Sequence, residues 1–318
     1  MSDSLTRRLA ELEGAESALV LASGRAAVAC TSLALLRPGD HLLACTSVRT
    51  STRHFFEQEL PALGVDVSWV DPRETRGWRR GLTRTTRALF LESPVLETGR
   101  LIDLRPPRTL SQELGIALIV DATGASPVDF TPLAHGADVV LHDATRFFEP
   151  HGEGEVGVMA GTEGLVEEVR LKMESWGAVP HPVSRLHLER GLATLEVRVM
   201  RQNATAMQLA DWATRHRDVA DVLYAGLESH PDRAVLGEWF KGPGSLVHLR
   251  LRDAYDATRV AARASERLDN DHDGRNVVTR ICAGDAAGWL RIEAGLESAD
   301  VIIDALISAL TTSSLSAS

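Results

Sequence analysis

The stretch "DVVLHDATRFFEPHGEGEVGVMAG", Asp138 to Gly161, decides how the fold is read. An apolar run closes on the polar turn Asp143-Ala144-Thr145-Arg146, and a second apolar run resumes near Val156. Strand, polar turn and returning strand are a common mounting for a site on an α/β sheet. Working outward, "ESALVLASG", "HLLAC", "VDVSWVD", "RALFLES", "IALIVDATG" and "ADVVLHDAT" read as strands buried on both faces. Helix-sized connections separate them, the first being "RAAVACTSLALLRPGD", which stops at Pro38-Gly39-Asp40. That alternation predicts an α/β fold with a mainly parallel sheet covered by helices. Ligands of such sheets bind beyond the carboxyl ends of the strands. Most weight therefore falls on Ser23-Gly24, Glu92-Ser93, Asp121-Ala122-Thr123 and the turn from Asp143 to Arg146.

From Val183 to about Arg215, apolar residues at helical spacing predict one or two long helices leading to a second unit. There "GSLVHLRL", "NVVTRI" and "AGWLRIEAGL" alternate like strands of a half-exposed sheet, with helices near 254–268 and 298–310. The expected organisation is a large domain over residues 1–200 and a smaller C-terminal α+β domain over 201–318. The Ser/Thr-rich end "TTSSLSAS" is expected to be disordered.

At 318 residues and 44% hydrophobic, the chain buries a substantial core. A net charge of −10 and the lack of a basic arm argue against a sequence-independent nucleic-acid binder. The first residues lack a signal-peptide layout and no apolar run is long enough to span a bilayer, so a cytoplasmic protein is expected, with no membrane partner. Cys30, Cys45 and Cys282 are widely spaced without a CxxC pair and read as buried thiols. Basic residues are nearly all arginine, the only lysines being Lys172 and Lys241. A GC-rich coding sequence explains that average, but not the loss of a lysine on which chemistry depends.

Taken in order, "LAELEGAESALVLASGRAAV", "LRPGDHLLA", "LGVDVSWVD", "TRALFLESP", "IVDATGASP", "HGADVVLHDATRFFEPHGE", "YAGLESHP" and "WLRIEAGLESADVIIDAL" resemble the landmarks of the Cys/Met-metabolism family. These are fold-type-I pyridoxal-phosphate enzymes such as cystathionine γ-synthase, cystathionine γ-lyase and methionine γ-lyase. The resemblance covers nearly the whole chain. It implies an aspartate-aminotransferase-like large domain, a smaller C-terminal domain, pyridoxal phosphate as cofactor, and γ-elimination or γ-replacement in transsulfuration as the family's chemistry. That chemistry depends on a lysine in a Ser-Ala-Thr-Lys motif, whose neutral amine forms a Schiff base with the cofactor. Here the motif reads Asp143-Ala144-Thr145-Arg146. A guanidinium, with a pKa above about 12, stays protonated and cannot form the imine. Neither Lys172 nor Lys241 aligns with the site.

The resemblance implies further roles, residue by residue. Asp121 stands where the family's aspartate pairs with the pyridine nitrogen, with Thr123 beside it. Ser23 and Gly24 keep part of a phosphate-binding turn at a helix start, while Arg25 replaces a methionine. Thr145 remains, but the phosphate-binding serine has become Asp143. A carboxylate 4 Å from a phosphate charge is repelled by ~4 kcal/mol at an effective dielectric of 20, roughly a thousandfold in affinity. Arg49 in "VRTST" takes the place of a stacking aromatic, Leu96 that of an asparagine, and Glu149-Pro150 that of a glycine pair, with His151 still present. Arg291 matches the arginine that holds the substrate carboxylate. The family's N-terminal arm is expected to be truncated, and its substrate loop to be contracted near "DGRNVVTRICAGDAAGW".

Asp121 either survives as a cofactor anchor or pairs with Arg146 across the vacated pocket, and the pair is expected because buried charges need partners. Arg25, Arg49 and Arg146 either converge on an anionic ligand or form internal ion pairs with Asp143, Glu149 and Asp121. Arg291 either grips a carboxylate or forms a structural pair. His142, His151 and Glu153 lack a second cluster at ligand spacing and are not read as a metal site. The functional expectation is a catalytically degenerate pseudoenzyme, a structural or regulatory subunit present as a homodimer or as a hetero-oligomer with an active paralogue. The alternatives are an enzyme that binds pyridoxal phosphate non-covalently or turns the arginine-rich pocket to another reaction, and a module that binds an anionic metabolite.

Overall fold

Five short apolar runs close side by side as parallel strands and set the frame of the first unit. The computed structural model describes residues 4–149, 154–270, 279–284 and 286–313. The chain divides into two units, Met1–Val95 with Leu101–Ala193, and Leu96–Arg100 with Thr194–Ser318. In the first, β1 (Ser17–Leu21), β2 (His41–Cys45), β3 (Asp66–Val70), β4 (Thr86–Glu92), β5 (Ala117–Asp121), β6 (Val139–Asp143) and β7 (Gly157–Gly161) form a sheet ordered β1-β7-β6-β5-β4-β2-β3. The block from β3 to β6 is parallel, while β7 runs antiparallel to both β6 and β1. The helices are α1 (Ser4–Glu13), α2 (Gly24–Leu35), α3 (Thr50–His54), α4 (Leu60–Ala62), α5 (Thr75–Arg80), α6 (Arg105–Leu114), α7 (Glu163–Ser175) and α8 (Pro182–Leu192). A π-helical turn, Phe55–Glu59, joins α3 to α4.

Local chemistry sets these boundaries. Ser23 is extended, and its Oγ accepts a hydrogen bond from Ala26 N at 3.1 Å, which starts α2. Gly115 ends α6 in the left-handed region at φ 63°. The central strands are buried on both faces, as their unbroken apolar runs predict. β3 departs from that expectation: only Val70 is buried, because β3 is an edge strand.

The second unit has β8 (Val219–Leu223), β9 (Leu246–Leu251), β10 (Arg280–Ala283) and β11 (Trp289–Glu293), ordered β10-β11-β9-β8 and antiparallel throughout. Its helices are α9 (Leu195–Ala213), α10 (Arg233–Trp239), α11 (Ala257–Asn270) and α12 (Ala299–Ser313). Val247, Leu249, Val260, Leu290, Ile292, Ile302 and Leu306 anchor its core. β9 is more buried than its half-exposed pattern suggests, since β11 and β8 flank it and only Arg250 reaches solvent. α12 extends three residues into the Ser/Thr-rich end, where Thr311 and Thr312 hydroxyls donate to carbonyls one turn back. Residues 314–318, like the start of "NVVTRI", lie outside the described residues. No described helix is long and apolar enough to cross a membrane.

Leu96–Arg100 belongs to the second unit because polar side chains hold it there. His248 Nε2–H donates to Leu96 O at 3.1 Å and His230 Nε2–H to Gly99 O at 3.2 Å. Arg100 grips Asp232 with two bonds of 2.6 Å, and Glu97 takes a hydrogen bond from Arg291. Burial pushes the His248 pKa down to about 4, so the ring is neutral in the fold. An unfolded histidine titrates near 6.5. Its contribution to stability is therefore complete above about pH 6.5 and is lost progressively toward pH 4, as the unfolded chain takes up the proton first. Urea midpoints at pH 7 and pH 4.5 test this: His248→Gln, which keeps an N–H for Leu96, loses less stability on acidification than the wild type. Equal losses would contradict it.

Candidate functional site

Four neighbouring parallel strands deliver four charged side chains to one edge of the first unit's sheet. Glu92 closes β4, Asp121 closes β5 in register with it, and Asp143 closes β6. Arg49 follows the end of β2 by four residues, immediately before α3. Its backbone N donates to Glu92 Oε2 at 2.9 Å. Its guanidinium then reaches across β4. Nη2 donates to Asp121 Oδ2 at 2.6 Å, Nη1 to Asp143 Oδ2 at 3.5 Å, and Nε lies 3.8 Å from Glu92 Oε2. The Arg49 side chain is 11% exposed and those of Asp121 and Glu92 are fully buried, so solvent screens these pairs little.

Burial by itself would raise the Asp121 pKa. The Arg49 guanidinium and two hydrogen bonds from Thr123 outweigh it and hold the carboxyl below the usual carboxylate range. Burial would likewise lower the Arg49 pKa, but Asp121, Glu92 and Asp143 together raise it, so the guanidinium stays charged.

The surrounding hydroxyls are engaged within the same edge. Thr123 N and Oγ1 donate to Asp121 Oδ1 at 3.0 and 2.5 Å, and Thr123 Oγ1 accepts from Asp143 N at 2.8 Å. Thr145 N and Oγ1 donate to Asp143 Oδ1 at 3.3 and 2.6 Å, which makes Asp143 the cap of its own turn. Asp143 also packs on the first residue of α2. A Cβ on Gly24 would lie 2.7 Å from Asp143 Cβ and 3.0 Å from Cγ, so only glycine fits. The positive end of the α2 dipole favours a carboxylate there.

The other sequence candidates lie elsewhere. Arg146 is half-buried in the turn after β6, its N donating to Asp143 O at 3.4 Å. The expected Asp121–Arg146 pair is corrected: the guanidinium on Asp121 is that of Arg49, which strand order brings to the β5 end. Of the two alternatives for Arg25, Arg49 and Arg146, convergence on an anion or internal ion pairs, Arg49 takes the second. Arg25 is 71% exposed and pairs at 3.7 Å with the equally exposed Glu155. Ser23 Oγ caps α2. Glu149 is buried, its N donating to Ala144 O. Arg291, in the second unit, bonds Glu97 and lies 3.6 Å from Glu293, so its charge is met by carboxylates of its own unit. Leu96 is buried and offers its carbonyl to His248.

His142 Nε2 meets Glu13 Oε1 of α1 at 2.7 Å, both side chains being buried, while Pro150, His151 and Glu153 lie outside the described residues. Among the described residues no three His, Cys, Asp or Glu side chains gather as metal ligands. Cys45, at the end of β2, is inert as a nucleophile because burial pushes its thiol up to about 12. Glu92 is the participant that sequence reasoning left without a role. Its signal was present, a carboxylate closing the strand beside the one that Asp121 closes.

Removing Arg49 leaves buried carboxylates without their cation, and such a loss costs about 3–5 kcal/mol. Arg49→Met is expected to lower the urea-derived stability by that amount. Its penalty grows from pH 5 to pH 8, because Asp121, freed of its partner, titrates at higher pH and is stabilised by protonation. A penalty independent of pH would contradict the role given to Arg49.

The comparisons with known proteins fit this architecture. The family model for "Cys/Met metabolism PLP-dependent enzyme" matches residues 1–270. L-methionine gamma-lyase of Pseudomonas putida is 30% identical over 328 residues, covering 97% of this chain and 82% of that protein. O-succinylhomoserine sulfhydrylase of Pseudomonas aeruginosa is 31% identical over 310 residues, covering 92% and 77%. Chloroplastic cystathionine gamma-synthase 1 of Nicotiana tabacum is 34% identical over 248 residues, covering 78% of this chain and 46% of that one. The chain thus spans about half the length of the tobacco relative and about four fifths of the Pseudomonas ones. With its mostly parallel sheet and flanking helices, the chain belongs to the Cys/Met metabolism PLP-dependent enzyme family, of fold type I.

Proposed function

We propose that this chain is a family member without Schiff-base chemistry, a pseudoenzyme that acts as a structural or regulatory subunit beside an active relative. The observation that carries the reading is the buried Arg49–Asp121 pair, 2.6 Å long, at the carboxyl edge of the sheet. In the family this aspartate is kept for the ring nitrogen of pyridoxal phosphate. Here its two oxygens are taken by Arg49 and Thr123.

The residues present do not fit the cofactor. When bound, pyridoxal phosphate supplies an aldehyde that condenses with a lysine amine and withdraws electrons from the substrate. The motif position for that lysine carries Arg146, whose protonated guanidinium has no lone pair to form the imine. Lys172 lies within α7, and Lys241 lies in the second unit between α10 and β9, so neither closes a strand of the first sheet in the chain. Arg291 is likewise committed to Glu97.

Such a subunit works in the cytoplasm, within an oligomer whose active members supply the lysine. Purified protein mixed with pyridoxal phosphate is expected to give no saturable absorption near the aldimine band beyond that of slow surface modification of Lys172 and Lys241. Arg146→Lys alone is expected not to restore it, since Asp121 remains paired. A stoichiometric band in the wild type, fixed by borohydride, would overturn the proposal.

A further inference from the structure

Arg49 and Asp143 stand at the two charged points where the family's cofactor would make its contacts. At the first, Asp121, a ligand brings a protonated ring nitrogen; here Arg49 Nη2 lies 2.6 Å from Oδ2. At the second, the start of α2, a ligand brings a phosphate, for which helix N-termini are suited. Here Asp143 brings its own carboxylate, packed so closely on Gly24 that no Cβ fits between them. The signs match in both places: a cation on the carboxylate, an anion at the positive helix end.

The two side chains are also joined, Arg49 Nη1 bonding Asp143 Oδ2 at 3.5 Å, and the backbone of Arg49 is fixed by Glu92. The hydroxyls that remain from the family's pattern turn inward onto the same carboxylates. Thr145 bonds Asp143 and Thr123 bonds Asp121. Loss of a lysine alone would leave a pocket still able to take the ligand reversibly. The rebuilt charges here go further, since Arg49 meets all three carboxylates, two through hydrogen bonds and Glu92 through an Nε approach of 3.8 Å.

We propose that Arg49 and Asp143 are a built-in occupant of the cofactor place, completing the sheet edge without a ligand and excluding pyridoxal phosphate even as a non-covalent guest. This deepens the proposed loss of Schiff-base chemistry and rests on it for the position of the site. It makes a separate claim, that a phosphorylated pyridine without an aldehyde is also refused.

The test is equilibrium dialysis with 4′-deoxypyridoxine 5′-phosphate, which cannot form an imine, against the wild-type chain, Asp143→Ser, and the double variant Arg49→Tyr with Asp143→Ser. Folding of each is checked by circular dichroism. The wild type is expected to show no saturable binding. The double variant, with the anion gone and Asp121 released, is expected to bind at least about tenfold more tightly. Should the double variant not fold, Asp143→Ser decides, because it keeps the Arg49–Asp121 pair and removes only the carboxylate that repels phosphate; tighter binding than the wild type is again expected. Wild-type binding as tight as that of a folded variant would overturn the proposal. That result, without an aldimine band when the aldehyde form is used, would leave the loss of Schiff-base chemistry standing.

Discussion

The contact between Arg49 and Asp121 organises the carboxyl edge of the first unit's parallel strands. A parallel sheet aligns its strand ends, and in this chain three adjacent ends carry carboxylates, those of Glu92, Asp121 and Asp143. Like charges at such spacing, those of Glu92 and Asp121 fully buried, repel strongly. One guanidinium set against all three relieves that repulsion, and the positive end of α2 assists Asp143. Strands lie about 4.8 Å apart, so the end of β5 is roughly 10 Å from that of β2. An arginine has both the reach and the fork of donors to cover that distance.

The framework was legible from residue pattern. Unbroken apolar runs such as "IALIV" and "ADVVL" correspond to strands covered on both faces, and polar closers such as Asp121 and Asp143 mark where the strands end. β8 was not, because "VADVL" is short and only Val219 is buried. The pairing at the site was legible in its members but not in its geometry. Arg146 stands at the motif position of the family's lysine, and the need of a buried carboxylate for a partner points to it for Asp121. Arg49 lies 72 positions from Asp121, and only the strand order β6-β5-β4-β2 reveals that they meet.

Leu96–Arg100 illustrates the same limit. It follows β4 and its Ser93-Pro94 step within the first unit's sequence, yet belongs to the second by virtue of His230, His248, Asp232 and Arg291. None of those partners is close in sequence. Arg291 lies on β11, and its charge is balanced by Glu97 and Glu293. Both units thus direct arginines that resemblance would assign to ligands toward carboxylates of their own.

On this proposal the protein itself fills this edge of the sheet. A crystal structure from crystals grown with excess pyridoxal phosphate tests it most directly. Arg49 is expected on Asp121 with Asp143 against Gly24, and no ring density beside them. Ordered density for the pyridine ring against Asp121, with Arg49 swung away, would contradict it.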